Sequence, residues 1–266
     1  MMSERTEAAI DTLEFVTRSP SRVRILERLD AEGSVSRDAL SAEVDVVRTT
    51  LSRSLSALVD RGLIRERGQR YEITAAGALV ADGVTAALER TDAAIRLRPV
   101  LERLDEEWLG VDPDRLTDAT VVEATMANPY APVTHHATTL AEADRVRAVL
   151  PAAGADPLEA STEAIENGAK FEMLLAEPVV ESVRTDPTLA AAFESIVDQP
   201  SVSVSVVDRD VPVYLGVVDR AVQIGVHDDT GLPTALLEST DDRLREWAIA
   251  RFDALKQGAR PFDPDP

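Results

Sequence analysis

The segment from Val46 to Thr74 restricts this chain more than any other, because the sequence changes there from a helical to a strand period across a single glycine. At about 100° per residue, Val47, Leu51, Leu55 and Leu58 fall on one stripe, and Thr49, Arg53, Ser56 and Asp60 fall on the opposite one. This predicts a helix from Val46 to Arg61, ended by Gly62 in the position just past a helix C-terminus that glycine favours. Leu63 to Thr74 then alternates around Gly68 and predicts a hairpin carrying Arg65, Arg67 and Arg70.

Upstream, residues 6–17 and 21–31 have helical apolar spacing, the second opened by Ser19-Pro20-Ser21 and closed at Gly33. A shorter helix is expected at 36–43, with Ser36 able to cap it and Asp45 able to cap the helix that follows. Two helices separated by so few residues have helix-turn-helix spacing. The outward face of the later helix is small, polar and basic, as entry into a major groove requires, because bulky side chains would hold the helix off the base edges. Double-stranded DNA is therefore the expected partner. Arg53 is placed to donate two hydrogen bonds to guanine, Thr49, Thr50, Ser52 and Ser56 to meet bases or phosphates, and Arg48 to meet phosphate near the helix start. Arg65, Arg67, Gln69 and Arg70 on the hairpin are expected to reach a minor groove or its phosphates. The competing reading is an ordinary helical domain whose arginines only solvate its surface. The run LSRSLSALVDRGLIRERGQRYEITAAG resembles the recognition helix, wing and Ile-Thr-x-x-Gly step of archaeal and bacterial winged-helix repressors, over about 60 residues of similar pattern.

Charge is distributed in keeping with that reading. The chain has 28 basic and 48 acidic residues, a net −20, and Lys170 and Lys256 are its only lysines. Residues 1–70 hold 12 of each sign, so the whole excess of acid lies in 71–266. Such asymmetry suits one half to a polyanion and the other to solubility. The acidic, lysine-poor composition is similar to that of salt-loving archaea. In near-molar salt the Debye length shrinks to about 3 Å, so DNA binding would lean on base contacts and groove shape. The absence of cysteine removes disulfides, thiolate metal sites and cysteine nucleophiles. No window approaches the roughly 18 apolar residues of a membrane span, and the N-terminus lacks the order of a secretory signal, so a cytoplasmic location away from membranes is expected.

At 266 residues the chain exceeds one ordinary domain, and three parts are expected: a DNA-binding domain at 1–75, a helical connector at 76–111 and an α/β domain at 112–266 with a frayed acidic tail, PFDPDP. The fold class is α+β. The connector, Ala75 to Trp108, places Leu79, Val80, Val84, Leu88 and Ile95 at helical spacing, with Pro99 breaking or kinking it. It would serve the larger domain or a homodimer. Beyond it, strands are expected at 121–124, 171–176, 201–207, 213–218, 222–227 and 234–238, and helices at 140–150, 162–167, 178–197 and 241–257. Asp219-Arg220 and Asp228 to Gly231 would form turns, giving a mixed or antiparallel sheet.

The stretches YLGVVD at 214–219, IGVHDDTG at 224–231 and LLES at 236–239 resemble the sensor-type middle domain of the archaeal methanogenesis and filamentation regulators. Asn128 to His135 resembles the proline-rich loop of haloarchaeal members. That resemblance implies a sequence-specific transcription regulator, modulated by a small molecule or a protein partner. Related sensor domains are similar to the phospholipase D fold, whose chemistry needs His-x-Lys; no histidine here has a lysine two residues on. No Gly-x-Ser-x-Gly elbow or phosphate-cradling loop is present either, so an enzyme is not expected, although a DNA-targeted hydrolase or transferase is the rival from that class. No cofactor or metal is expected, because His135 and His136 on an extended segment would point apart. Tyr130, His135, His136 and Tyr214 are the candidates for lining an effector pocket, against the plainer reading in which a histidine only satisfies a backbone group.

Overall fold

The computed structural model describes residues 3–43, 47–104, 113–229 and 231–263. The Asp45 cap, the Val46 helix start, Trp108 and Thr230 of the expected turn lie outside them. Contacts divide the chain into two compact units, Met1–Asp92 and Ala93–Pro266.

The first unit contains helices α1 (Glu4–Thr17), α2 (Pro20–Glu32), α3 (Arg37–Glu43) and α4 (Arg48–Asp60), strands β1 (Ser34–Ser36), β2 (Ile64–Arg67) and β3 (Arg70–Ile73), and the beginning of α5 (Ala75–Leu101). The strands form a sheet in the order β1-β3-β2, all antiparallel. The helices and the hairpin stand in the order expected for the N-terminal domain, with β1 added; its three residues are too few for an alternation to be recognised. Ile25, Leu26, Leu29, Leu40, Leu51, Leu55, Leu58, Ile64 and Tyr71 build the core. Ser36 caps α3 as expected, its Oγ accepting from the Ala39 N–H at 3.2 Å. Val47 does not join the inward stripe. It is the extended N-cap residue of α4 and 71% exposed. Ser54 is inward instead, buried and hydrogen-bonded to Ser21 across α2.

The Ile-Thr-x-x-Gly step has a local cause. Thr74 Oγ1 donates to the carbonyls of Gly62 and Leu63 and accepts from the Gly77 N–H at 3.0 Å, which opens α5. A Cβ on Gly77 would stand 1.9 Å from the Leu63 carbonyl oxygen, so only glycine lets helix and hairpin approach this closely.

The second unit is a three-layer α/β/α domain. Its sheet has the order β11-β7-β6-β5-β8-β9-β10-β4, formed by β4 (Thr120–Glu123), β5 (Arg145–Leu150), β6 (Lys170–Ala176), β7 (Val202–Val207), β8 (Tyr214–Val218), β9 (Ala221–His227), β10 (Pro233–Ser239) and β11 (Arg260–Pro261). The sheet is mixed: β5, β6 and β7 run parallel, and β8 to β10 make the expected antiparallel meander, flanked by β4. Helices α6 (Ala131–Ala141), α7 (Ala155–Glu166), α8 (Glu177–Thr185) and α9 (Pro187–Val197) supply one core with Val146, Phe171, Met173, Tyr214 and Leu236. Helix α10 (Asp242–Lys256), the end of α5 and Leu116 of a 3-10 turn supply the other, with Val149, Leu174, Val217, Ile224 and Leu237. Neighbouring residues of one strand thus enter different cores, as expected of strands covered on both faces.

Several expectations are corrected. The helix placed at 140–150 is instead the end of α6 followed by β5. Helix α6 begins nine residues earlier because Pro132 sits in its first turn, where its missing N–H costs nothing. The proline-rich loop is therefore largely helix. The single helix at 178–197 is two, divided where Asp186 Oδ1 caps the second by accepting from Thr188 and Leu189 N–H groups. The tail is not frayed through residue 262: Arg260 and Pro261 pair with β7, and Phe262 packs against Phe193. Pro99 does not end α5, which continues to Leu101. The connector stripe is divided too, since Val84 is buried while Leu79, Leu88 and Ile95 are exposed. Among the described residues no helix is long and apolar enough to cross a membrane.

Candidate nucleic-acid surface and ligand cavity

The outer face of α4 is open. Arg48, Thr49, Thr50, Arg53 and Ser56 are exposed, and no hydrogen bond or ion pair holds the side chains of Thr49 or Arg53 among the described residues. Ser52 is less available. Its Oγ donates to the Arg48 carbonyl at 2.9 Å and accepts from Arg37. Arg37 thus joins this surface from α3, a neighbour that sequence spacing did not reveal.

On the hairpin, Arg65, Arg67, Gln69 and Arg70 are all exposed. The arginines are not equally free. Arg65 Nε donates to Glu72 Oε2 at 2.8 Å and Arg67 Nε lies 3.3 Å from the same oxygen. Arg70 is tied to β1, its guanidinium donating to Ser34 Oγ and to the Ser34 carbonyl. Gly68, at φ 63°, makes the turn between them.

The second unit encloses a cavity of about 480 Å³ between its sheet and α6 and α7. Val146, Ala148, Phe171 and Met173 form its floor, Leu140, Leu158 and Phe193 its walls, and Leu232 and Pro233 part of its rim. The volume suits a small molecule, and the lining is mostly apolar. Among the described residues no lysine or arginine lines it, and its one acid, Asp156, is exposed.

Three of the four expected pocket residues meet there. Tyr130 stands exposed, while His136 and Tyr214 lie inside, ring centroids 4.5 Å apart and edge to face. The fourth, His135, is turned away. Its Nε2 lies 3.2 Å from Glu238 Oε2, because on a helix successive side chains diverge by about 100° rather than facing opposite sides of a strand. Glu238 also accepts from Gln223 Nε2 at 2.6 Å, and Gln223 Oε1 lies 2.7 Å from His136 Nδ1. Gln223 is fully buried, and sequence reading missed it. The signal was available: Gln223 alternates with Val222 and Ile224 in β9, so its side chain must enter the opposite core from theirs.

Burial governs acidity in the cavity. It pushes the His136 pKa down to about 4, against an opposing pull from the Gln223 hydrogen bond, so the imidazole is neutral near pH 7. It pushes the Tyr214 phenol up, keeping it protonated. The Tyr214 hydroxyl is buried with no hydrogen-bond partner, an unusual condition for a polar atom. His227, also on the lining, has its pKa lowered by burial. Among the described residues no three His, Asp or Glu side chains form a group able to hold a metal.

Comparison with known proteins follows the two units. Residues 129–258 match the family model of the methanogenesis regulatory protein FilR1, middle domain, and residues 10–96 match that of the HVO_A0261 N-terminal domain. A search of curated sequences found no match. Among solved structures, TrmBL2, an archaeal chromatin protein described with a novel mode of DNA binding, is 13% identical over 91% of this chain and 93% of its own, with a TM-score of 0.42. NucT from Helicobacter pylori is 11% identical over 55% of this chain and 99% of its own, at 0.45. Nuc from Salmonella typhimurium, a phospholipase D family member, is 13% identical over 55% and 97%, at 0.43. Likeness at these scores carries no statement of activity.

Proposed function

Because the chain belongs to the archaeal transcription regulators that carry a FilR1-type middle domain, we propose that its first unit reads DNA sequence through α4 and that its second unit binds a small effector modulating that contact. The exposed, internally uncommitted face of α4 carries the first half of this reading. Thr49, Arg53 and Ser56 form a shallow polar row beside an arginine-bearing hairpin, the arrangement that fits a major groove with a wing alongside. Arg53 reads a guanine. The hairpin arginines grip backbone or minor groove.

The cavity carries the second half. A concave, apolar space with two converging polar groups favours a small molecule over a docked protein, for which a flat apolar patch would be expected. The role we assign to it is binding rather than catalysis. An effector changes DNA affinity only if it prefers one conformation of the protein over another. We assign the protein to the cytoplasm, where its DNA lies, and to a homodimer. Exposed Ile10 and Leu13 of α1 and Leu79 and Leu88 of α5 supply apolar surface in the first unit for a second copy.

The test is genome-wide mapping of bound sites for the intact protein and for Arg53→Ala combined with Thr49→Ala. The expected result is loss of the sequence-specific peaks while general DNA affinity persists. Losing a bidentate base contact costs about 1–3 kcal/mol of discrimination. Unchanged peaks would remove α4 as the reading element.

A further inference from the structure

Resting on the reading of the second unit as an effector domain, we infer that its cavity takes an uncharged, largely apolar molecule bearing one hydroxyl group, an alcohol or phenol, held between Tyr214 and His136. The hydrogen-bond pattern fixes which atoms give and which receive. Glu238 as a carboxylate only accepts, so Gln223 must present its amide NH2 to it and its Oε1 to His136. A carbonyl oxygen cannot donate, so His136 Nδ1 carries the ring proton. Nε2 of the neutral imidazole is then an acceptor with no protein partner among the described residues, on a ring that lines the cavity.

Tyr214 supplies the opposite sense. Its hydroxyl is a buried donor without an acceptor, on a ring packed edge-on against His136. A hydroxyl satisfies a donor and an acceptor alone, accepting from Tyr214 Oη and donating to His136 Nε2. An ether or ketone answers only Tyr214. A carboxylate finds no cation, since among the described residues no lysine or arginine lines the space, and Asp156 already stands at the first turn of α7. The apolar body of the ligand lies against Val146, Phe171, Met173 and Phe193.

The experiment is isothermal titration calorimetry of the full-length protein in molar KCl with three probes of similar size: 4-hexylphenol, 4-hexylanisole and 4-hexylbenzoate. The phenol is expected to bind about tenfold more tightly than the anisole, the value of one hydrogen bond, and the benzoate more weakly than either. Tyr214→Phe removes one unpartnered oxygen and preserves the ring, so the fold persists. In it the affinity for the phenol should fall severalfold. Equal binding of phenol and anisole, or preference for the benzoate, overturns the hydroxyl assignment while leaving an effector pocket. Binding of none of the three overturns the effector reading itself, and the assignment with it.

Discussion

The Tyr214 hydroxyl lies over Gly216, two residues further along the same strand, so closely that a Cβ at position 216 would stand 2.1 Å from Oη. The missing side chain at 216 is what lets the ring lie down along β8 toward the cavity. Gly216→Ala is therefore expected to lift the ring, at a cost of about 1–3 kcal/mol in stability for the overpacked site. Urea denaturation of the two proteins measures this. Equal midpoints would show that the ring has room to move aside.

Acid should weaken the second unit through His136. Its folded pKa of about 4 lies below the ordinary value of 6.5, because burial disfavours the charged ring. Between those values the unfolded chain binds a proton that the folded protein does not, so stability rises with pH across that window and is level above it. The slope is at most about 1.4 kcal/mol per pH unit. His135, Glu238, Gln223 and Tyr214 are the groups facing the ring. His136→Gln removes this contribution, so its stability relative to the parent should improve as pH falls from 6.5 toward 4. His227 titrates alike in both and drops out of the difference. Parallel pH profiles for the two would refute the assignment.

Glu72 holds two hairpin arginines, and releasing them should strengthen the grip on DNA. The side chains of Arg65 and Arg67 are more than half exposed, so Glu72→Gln should alter stability by less than about 1 kcal/mol. Freed from a shared carboxylate, they would neutralise phosphate better. The salt dependence of binding should steepen by about one unit of log K against log salt. Fluorescence anisotropy across a KCl series reads this slope, and an unchanged slope would place the hairpin away from the DNA.

The first unit was the more legible in sequence because its elements are local. The stripe Leu51, Leu55 and Leu58, the glycines at 62 and 68, and the alternation from Leu63 to Thr74 each report on neighbours within a turn or a hairpin. Val47 misled because the wheel assumes a helix already formed, whereas that residue is its extended cap. In the second unit the strands from Tyr214 onward were read correctly, being joined by tight turns. Leu140 to Leu150 was not, since Val146 and Ala148 face one core and Val149 the other, and a strand buried on both faces loses its alternation. The cavity was half visible. Tyr130, His136 and Tyr214 come together as expected, but Gln223 and Glu238, which set the hydrogen-bond sense of His136, lie 87 and 102 residues from it and meet it only through strand register.

The short strand Arg260–Pro261 matters beyond its length. It lies along the outer rim of β7, whose sequence VSVSVV is uncharged, rich in β-branched valine and regular. An uncovered rim of that composition would offer its backbone groups to the same strand of another molecule and seed aggregation. Pro261 has no N–H to extend the ladder, and Arg260 fastens the strand by donating to the Glu177 carboxylate. Two residues near the C-terminal end thereby keep a crowded solution of this protein from knitting itself together.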